Sequence, residues 1–362
     1  MKKIIPAGVI ISIIFVILLI GCAGPGRKMN CYLYVACDNA GAYSVSSFKI
    51  EDSTGTLTPI AETPPELYSE ITSMKADHQG NRVYIIQNSI STISISSIDP
   101  NTGELFPRAT PAVDYIPQSL AIDPTDRFLY STSNTSGYIS FFNANDTLNP
   151  IAAPRPVDSS YDIAFSPLGN CCYITKYNLN TLMILKYNPK DGQVYDTWES
   201  TNVTTSGLTR PTYVVVHPNG QYIYVANDVS VNNMITGFKL IGDPNRIEPL
   251  APVQTSYTKL LLTMDPAGRY LYAAGLDGTK LTIYGISSGT GELTKLNELD
   301  TFVSIKSIAA TPNGKYVYVS DYGEHEIIMF KVTNDAAVLN CIGTFITNTG
   351  CPGAMTLAWK LQ

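Results

Sequence analysis

One tyrosine-ended segment recurs seven times along the chain. Gly220-Gln-Tyr-Ile-Tyr224, Gly268-Arg-Tyr-Leu-Tyr272 and Gly314-Lys-Tyr-Val-Tyr318 align residue for residue, and the unit places its last tyrosine at Tyr34, Tyr84, Tyr130, Tyr173, Tyr224, Tyr272 and Tyr318, 43 to 51 residues apart. Such a period decides architecture before any motif does, because a unit too small to hold its own core must stack on copies of itself. Within each copy the pattern alternates with period two. Val214-Val-Val216 runs into the turn His217-Pro-Asn-Gly220, Tyr222 and Tyr224 alternate along a second strand, and Met234-Ile-Thr-Gly-Phe-Lys-Leu240 supplies a third. A fourth follows a hairpin such as Glu51-Asp-Ser-Thr-Gly55-Thr-Leu57, Asp99-Pro-Asn-Thr-Gly103-Glu-Leu105, Lys190-Asp-Gly192 or Ser288-Gly-Thr-Gly291-Glu-Leu293. Four short antiparallel strands per unit make a propeller blade, and the lack of a sustained helical period excludes α/β folds. The expected fold is all-β, a seven-bladed β-propeller with four-stranded blades.

The two ends of the chain fit together. Cys351-Pro-Gly-Ala-Met-Thr-Leu-Ala-Trp359 matches the start of a unit and stops before its second strand, whereas Cys31-Tyr-Leu-Tyr34 begins at a second strand. One blade is therefore expected to take its first strand from the C-terminus and three from the N-terminus, closing the ring and removing exposed sheet edges. Folding that hairpin about its turn sets Cys351 opposite Cys37, so a Cys37–Cys351 disulfide is expected. The pairing of Cys31, Cys171, Cys172 and Cys341 stays open, except that adjacent Cys171 and Cys172 point to opposite faces of a strand.

Ahead of the repeats, Lys2 and Lys3 precede an uncharged apolar run, Ile4 to Ile20, which leads into Leu19-Ile20-Gly21-Cys22. This reads as a secretory signal. The tetrad resembles the lipobox of bacterial lipoproteins, which implies acylation (palmitate included) of Cys22 after removal of 1–21. The expected organisation is a signal peptide over 1–21, a lipidated linker over 22–30 and a propeller over 31–362, held to a membrane through the lipid on Cys22. Ala23 lacks the acidic residue that retains lipoproteins at an inner membrane, which points to the outer membrane or cell surface. Composition agrees with a globular exported protein: 44% hydrophobic, 15% charged, with 24 Lys+Arg against 30 Asp+Glu and a net charge of -6. No basic stretch interleaved with aromatics occurs, which excludes a nucleic-acid partner.

The units Pro211-Thr-Tyr-Val-Val-Val-His-Pro-Asn-Gly-Gln-Tyr-Ile-Tyr-Val-Ala-Asn227, Ala164-Phe-Ser-Pro-Leu-Gly169 and Asp321-Tyr-Gly-Glu-His-Glu-Ile327 resemble the seven-bladed lactonase family, which includes 6-phosphogluconolactonase and the fungal carboxy-muconate lactonising enzyme. The resemblance implies an active-site signature of Pro-Arg-His, a His-Pro-x-Gly turn, and Asn-Glu at the end of a second strand. Lactone hydrolysis wants a cation for the substrate's anionic group and a His or Glu to activate water. Here Thr212 and Tyr213 follow Pro211, Asp228 stands at the Glu position, and Tyr161 occupies the preceding blade where another His can occur. His217 falls beside the turn and is expected to be structural.

The column of strand-start residues that should rim the channel reads Thr72, Gln118, Tyr161, Thr212, Leu260, Lys306 and Gly353. Gln118, Tyr161, Thr212 and Tyr213 are the candidate ligand-binding residues, and Asp228 with Lys306 the candidate catalytic pair. Gly285-Ile-Ser-Ser-Gly289 fits a nucleophile elbow only in spelling, since it falls in a hairpin. Asp321, Glu324, His325 and Glu326 read as a solvated turn. No cofactor or metal site is expected. The sequence thus points to a binding or interaction protein whose partner is a small molecule in the channel or an envelope or extracellular protein. The alternative is a lactonase acting on a sugar (6-phosphogluconolactone-like) or dicarboxylate lactone.

Overall fold

The computed structural model describes residues 29–60, 67–199, 207–228, 233–242, 247–255, 257, 259–276, 278–300, 302–333, 338–347 and 350–361. The expected signal peptide and Cys22 lie outside these residues. Strand order in the sheets gives a seven-bladed propeller. Blade 1 runs Cys351–Leu361, Met29–Asn39, Ala42–Ile50, Leu57–Pro59 from the axis outward, so the C-terminal strand closes the ring as expected. The inner strands of blades 2 to 7 are Ile71–Ala76, Ser119–Ile122, Ser160–Phe165, Pro211–Val216, Leu260–Met264 and Ile305–Ala310. Each pairs antiparallel with a second strand: Arg82–Gln87, Phe128–Ser133, Cys171–Lys176, Tyr222–Asn227, Tyr270–Gly275 and Tyr316–Asp321. The first strand begins at Met29, two residues inside the expected linker.

The tyrosine repeat has a physical cause. All seven tyrosines are at most 1% exposed. Tyr34, Tyr130, Tyr224 and Tyr318 donate their hydroxyls to the carbonyls of Gly103, Gly192, Gly291 and Gly55 at 2.6–2.8 Å. Each acceptor is the outer-hairpin glycine of the next blade, so the second strand of one blade is latched to the hairpin of its neighbour. The glycine is required twice over at Gly103: its φ is +78°, and an added Cβ would run into the Tyr32 ring. Tyr84 and Tyr272 face blades whose hairpins lack this glycine, and their buried hydroxyls have no partner among the described residues.

The inner-to-second-strand turns are built alike. Their first residues, Asp77, Asp123, Ser166, His217, Asp265 and Thr311, are all buried. Asp123 Oδ1 accepts from Arg127 N and Phe128 N, both at 2.7 Å, and Thr311 Oγ1 accepts from Tyr316 N at 3.0 Å. These bonds satisfy turn N–H groups that would otherwise be buried without acceptors.

The expected Cys37–Cys351 disulfide does not form. A bulge between the Cys37–Pro352 and Val35–Met355 pairs shifts the register by one, so that Cys351 stands opposite Asp38. Neighbouring residues of a strand face opposite ways, which turns the two sulfurs to different sides of the sheet. The Cys37 sulfur lies 3.5 Å from Ser46 Oγ, and that of Cys351 lies 3.4 Å from His325 Nε2.

Candidate functional site

At the end of the channel where the inner strands start, the ladder is broken by bulges. Between Ile71 and Ser73, Ser160 and Ile163, Pro211 and Val214, Ile305 and Ser307, and at Gly353-Ala354, the inner strand carries one residue more than its partner. In blades 3 and 6 the pairs from Ser119 and Leu260 run in unbroken register. A bulge re-aims side chains locally, and here it does so around the mouth of the channel. Three bulges are pinned by hydroxyls two residues beyond a repeat tyrosine in the preceding blade. Thr132 donates to Tyr161 O at 3.0 Å, Thr175 to Thr212 O at 2.5 Å and Ser320 to Gly353 O at 3.0 Å.

The pinned bulges of blades 4 and 5 assemble a cluster on this rim. Tyr161 lies across Tyr177 with ring centroids 5.6 Å apart and meets Tyr213 edge to face at 6.1 Å. Tyr177 donates its hydroxyl to Asp228 Oδ2 at 2.7 Å and accepts from Arg210 Nη2. The Arg210 guanidinium covers the Tyr177 ring at 4.6 Å and sits 3.6 Å from Asp228 Oδ2. Arg210 is fixed in a left-handed conformation, φ +47°, by its N–H to Asn180 Oδ1 at 2.7 Å and by its carbonyl, which accepts from Asp228 N at 3.0 Å. Burial, then the nearby Asp162 and Asp228 charges, raise the Tyr161 phenol above its ordinary value.

Beneath the rings, Asp162 ties three blades together. It accepts from Ser119 Oγ of blade 3 at 2.6 Å and from Val214 N of blade 5 at 2.9 Å. Burial raises its carboxyl above the usual range, opposed by those two bonds and by the charge of Lys75 on the inner strand of blade 2.

The residues expected from the sequence are thus dispersed. Tyr161, Tyr213 and Asp228 belong to the rim cluster. Thr212 is 1% exposed and donates to Ala226 O, so its side chain points into the blade. Gln118 is half-buried and its N–H donates to Thr132 O. Lys306 lies over the Tyr322 ring at 5.1 Å on blade 7, while the contacts of Asp228 are on blades 4 and 5. Asn227 is wholly buried: it accepts from Thr209 N and donates to Met234 O and Thr236 Oγ1, which makes it a backbone latch. His217 is structural too, accepting from Asn219 N at Nδ1 and, through Nε2 2.9 Å from Gly268 O, joining blade 5 to blade 6. Sequence reasoning passed over Arg210, Tyr177 and Asp162. The signal for Arg210 was its place just before Pro211, two residues upstream of position 212, where a cation was sought.

Comparison with known proteins places this geometry. The profile described as "Lactonase, 7-bladed beta-propeller" matches residues 32–154 and 152–306. The chain belongs to the seven-bladed β-propeller lactonase family. A 6-phosphogluconolactonase of Klebsiella pneumoniae is 20% identical over 305 residues, covering 82% of this chain and 89% of the relative. Among solved structures, a candidate 6-phosphogluconolactonase from Bacteroides uniformis superimposes with a TM-score of 0.75 at 18% identity, covering 91% of this chain and 99% of that one. The periplasmic gluconolactonase of Pseudomonas aeruginosa gives 0.74 at 12% identity, covering 91% and 99%. At these identities the structural likeness establishes the lactonase fold. The rim residues of this member differ from the expected family signature: tyrosines stand at 161 and 213, and the arginine precedes Pro211 rather than following it.

Proposed function

We propose that this protein is a lipid-anchored envelope propeller that binds a small polyhydroxylated ligand at the channel mouth without hydrolysing it. The observation that carries the reading is the Tyr161–Tyr177–Tyr213 cluster with Arg210 and Asp228 at its edge. Ring faces stack on the C–H faces of a sugar, while a guanidinium–carboxylate pair offers donors and acceptors to its hydroxyls. The named relatives act on sugar-acid lactones, which supports a ligand of that class. A hydrolase needs a base ready to take a proton from water, and Asp228 Oδ2 already holds the Tyr177 hydroxyl and the Arg210 charge.

Met29 pairs with Leu361 at the end of blade 1 opposite the Asp38–Cys351 pair. On this reading the described chain enters the disc at Met29, on the turn face opposite the rim.

Lactone hydrolysis is the second reading, favoured by family membership and by Asp162, a carboxyl held above its usual range below the rings. Calorimetric titration of the detergent-solubilised full chain with gluconate and glucono-lactone, alongside proton release from sugar lactones and a muconolactone, separates the two. The expected result is saturable binding that Tyr161→Ala and Arg210→Ala each weaken at least about tenfold, a loss of about 1.4 kcal/mol, with no turnover above background. Turnover that Asp228→Asn or Lys306→Ala abolishes would establish the hydrolase instead.

A further inference from the structure

Across the channel mouth from the tyrosine cluster, a second group of side chains stands together. Cys31, Cys37, Cys171 and Cys172 are buried; burial pushes the Cys31 thiol up to about 12 and the Cys172 thiol well above its ordinary value, so neither offers a thiolate. Two of the described cysteines reach solvent. Cys341 is exposed on the outer strand of blade 7, with Gly343 O at 3.8 Å as its contact. Cys351 is half-buried at the rim, its sulfur 3.4 Å from His325 Nε2.

The second pair is held in place from both sides. His325 adopts a left-handed conformation, φ +56°, and its carbonyl accepts from both Thr347 N and Thr347 Oγ1 at 2.8 Å. Cys351 is locked opposite Asp38, and the preceding Gly350 packs so tightly on the Asp38 backbone that a Cβ would meet Asp38 O at 2.5 Å. The Lys306 ammonium lies over the ring of Tyr322, 5.1 Å from its centroid, and burial, then Cys351 and Asp38, raise the Tyr322 phenol above its ordinary value. Both ring nitrogens of His325 lie near the Cys351 sulfur, at 3.4 and 3.9 Å, and a thiol within reach of an imidazole on a fixed backbone has its general base in place.

We propose that Cys351 and His325 form a nucleophilic thiol–imidazole pair that takes up small-molecule disulfides at the rim. His325 Nε2 accepts the thiol proton, and the sulfur attacks one sulfur of the incoming disulfide. The new S–S bond forms as the old one breaks, and the departing thiolate leaves with the proton from His325. One thiol and one disulfide give one mixed disulfide and one thiol, and excess thiol reverses the exchange. The register shift that keeps Cys37 on the opposite face leaves Cys351 available for an outside partner.

Cys341 is the control within the same molecule. The full chain is treated at neutral pH with iodoacetamide, or with glutathione disulfide, and each cysteine peptide is followed by mass spectrometry. Cys351 is expected to alkylate at least about tenfold faster than Cys341 and to carry a glutathione adduct that dithiothreitol removes. In His325→Gln the two rates should come within about threefold of each other, with Cys171 and Cys172 still unlabelled as a sign that the blades are intact. Equal rates at Cys351 and Cys341 in the unsubstituted protein would overturn the proposal. So would a fast Cys351 in folded His325→Gln. If that variant labels at Cys171 and Cys172, the comparison in the unsubstituted protein decides alone.

Discussion

On the turn face, Asp123, His217, Asp265 and Thr311 occupy one repeated position, are buried, and each gives at least one polar atom to a backbone group of its own turn or of the next blade. On the rim, Arg210, Tyr177 and Asp228 engage one another side chain to side chain, and the Arg210 side chain remains 51% exposed. Both faces are polar, yet only the first arrangement recurs around the ring. A polar group that satisfies backbone serves the fold in every blade, whereas a cluster made once, of groups that answer only to each other, is available to a ligand. This distinction separates His217 and Asn227 from Asp228, although all three lie within a dozen residues of one another in the sequence.

The largest expected effect tests the turn face. In Gly268→Ala the new Cβ would occupy the His217 ring position at a φ of +71°, displacing the imidazole from Gly268 O. We expect a loss of about 3 kcal/mol in denaturant unfolding, the sum of a left-handed alanine and a stranded buried hydrogen bond. Unchanged stability would mean that the blade 5–6 junction does not depend on His217.

A smaller effect compares latched with unlatched tyrosines. Tyr130→Phe removes a buried bond to Gly192 O and should cost about 1 kcal/mol, whereas Tyr272→Phe removes a buried hydroxyl with no partner among the described residues and should be neutral or slightly stabilising. Equal costs from the two substitutions, measured by the same unfolding titration, would dismiss the hairpin latch as the reason for the tyrosine period.

The smallest effect concerns two carboxyls at the rim end of their blades. Asp162 is raised by burial, so the fold prefers its protonated form; its contribution is present below the ordinary carboxyl range and is lost as pH rises through the raised value. Glu298 is held at about 2 by Lys295, with help from Tyr257, Thr282 and Lys280, so its contribution is present above the ordinary range and is lost as pH falls toward 2. Melting temperature against pH should therefore lose slope in opposite senses in Asp162→Asn and Glu298→Gln, whatever their absolute stabilities. Slopes that change in the same sense would show that Asp162 is better solvated than its contacts imply.

Much of the molecule was legible without coordinates. The Tyr34-to-Tyr318 period, the alternating strands and the half-units at the two ends determined the blade count, the strand order and the ring closure, because each records a local requirement: a tyrosine for a neighbour's hairpin, a glycine for a turn, a strand for an open edge. The rim could not be read in the same way. Bulges at Tyr161-Asp162, Thr212-Tyr213 and Gly353-Ala354 add one residue to a strand without any marker in the residues themselves, and one residue reverses the face on which everything beside it lies. That reversal buried Thr212, separated Cys37 from Cys351 and left Cys351 beside His325. Likewise Arg210, Tyr177 and Asp228 are 18 to 51 residues apart in the chain and meet only because two blades stack at their bulges. Spacing within a blade is set by the chain, but contact between blades is set by packing, and in this protein the candidate chemistry lies between blades.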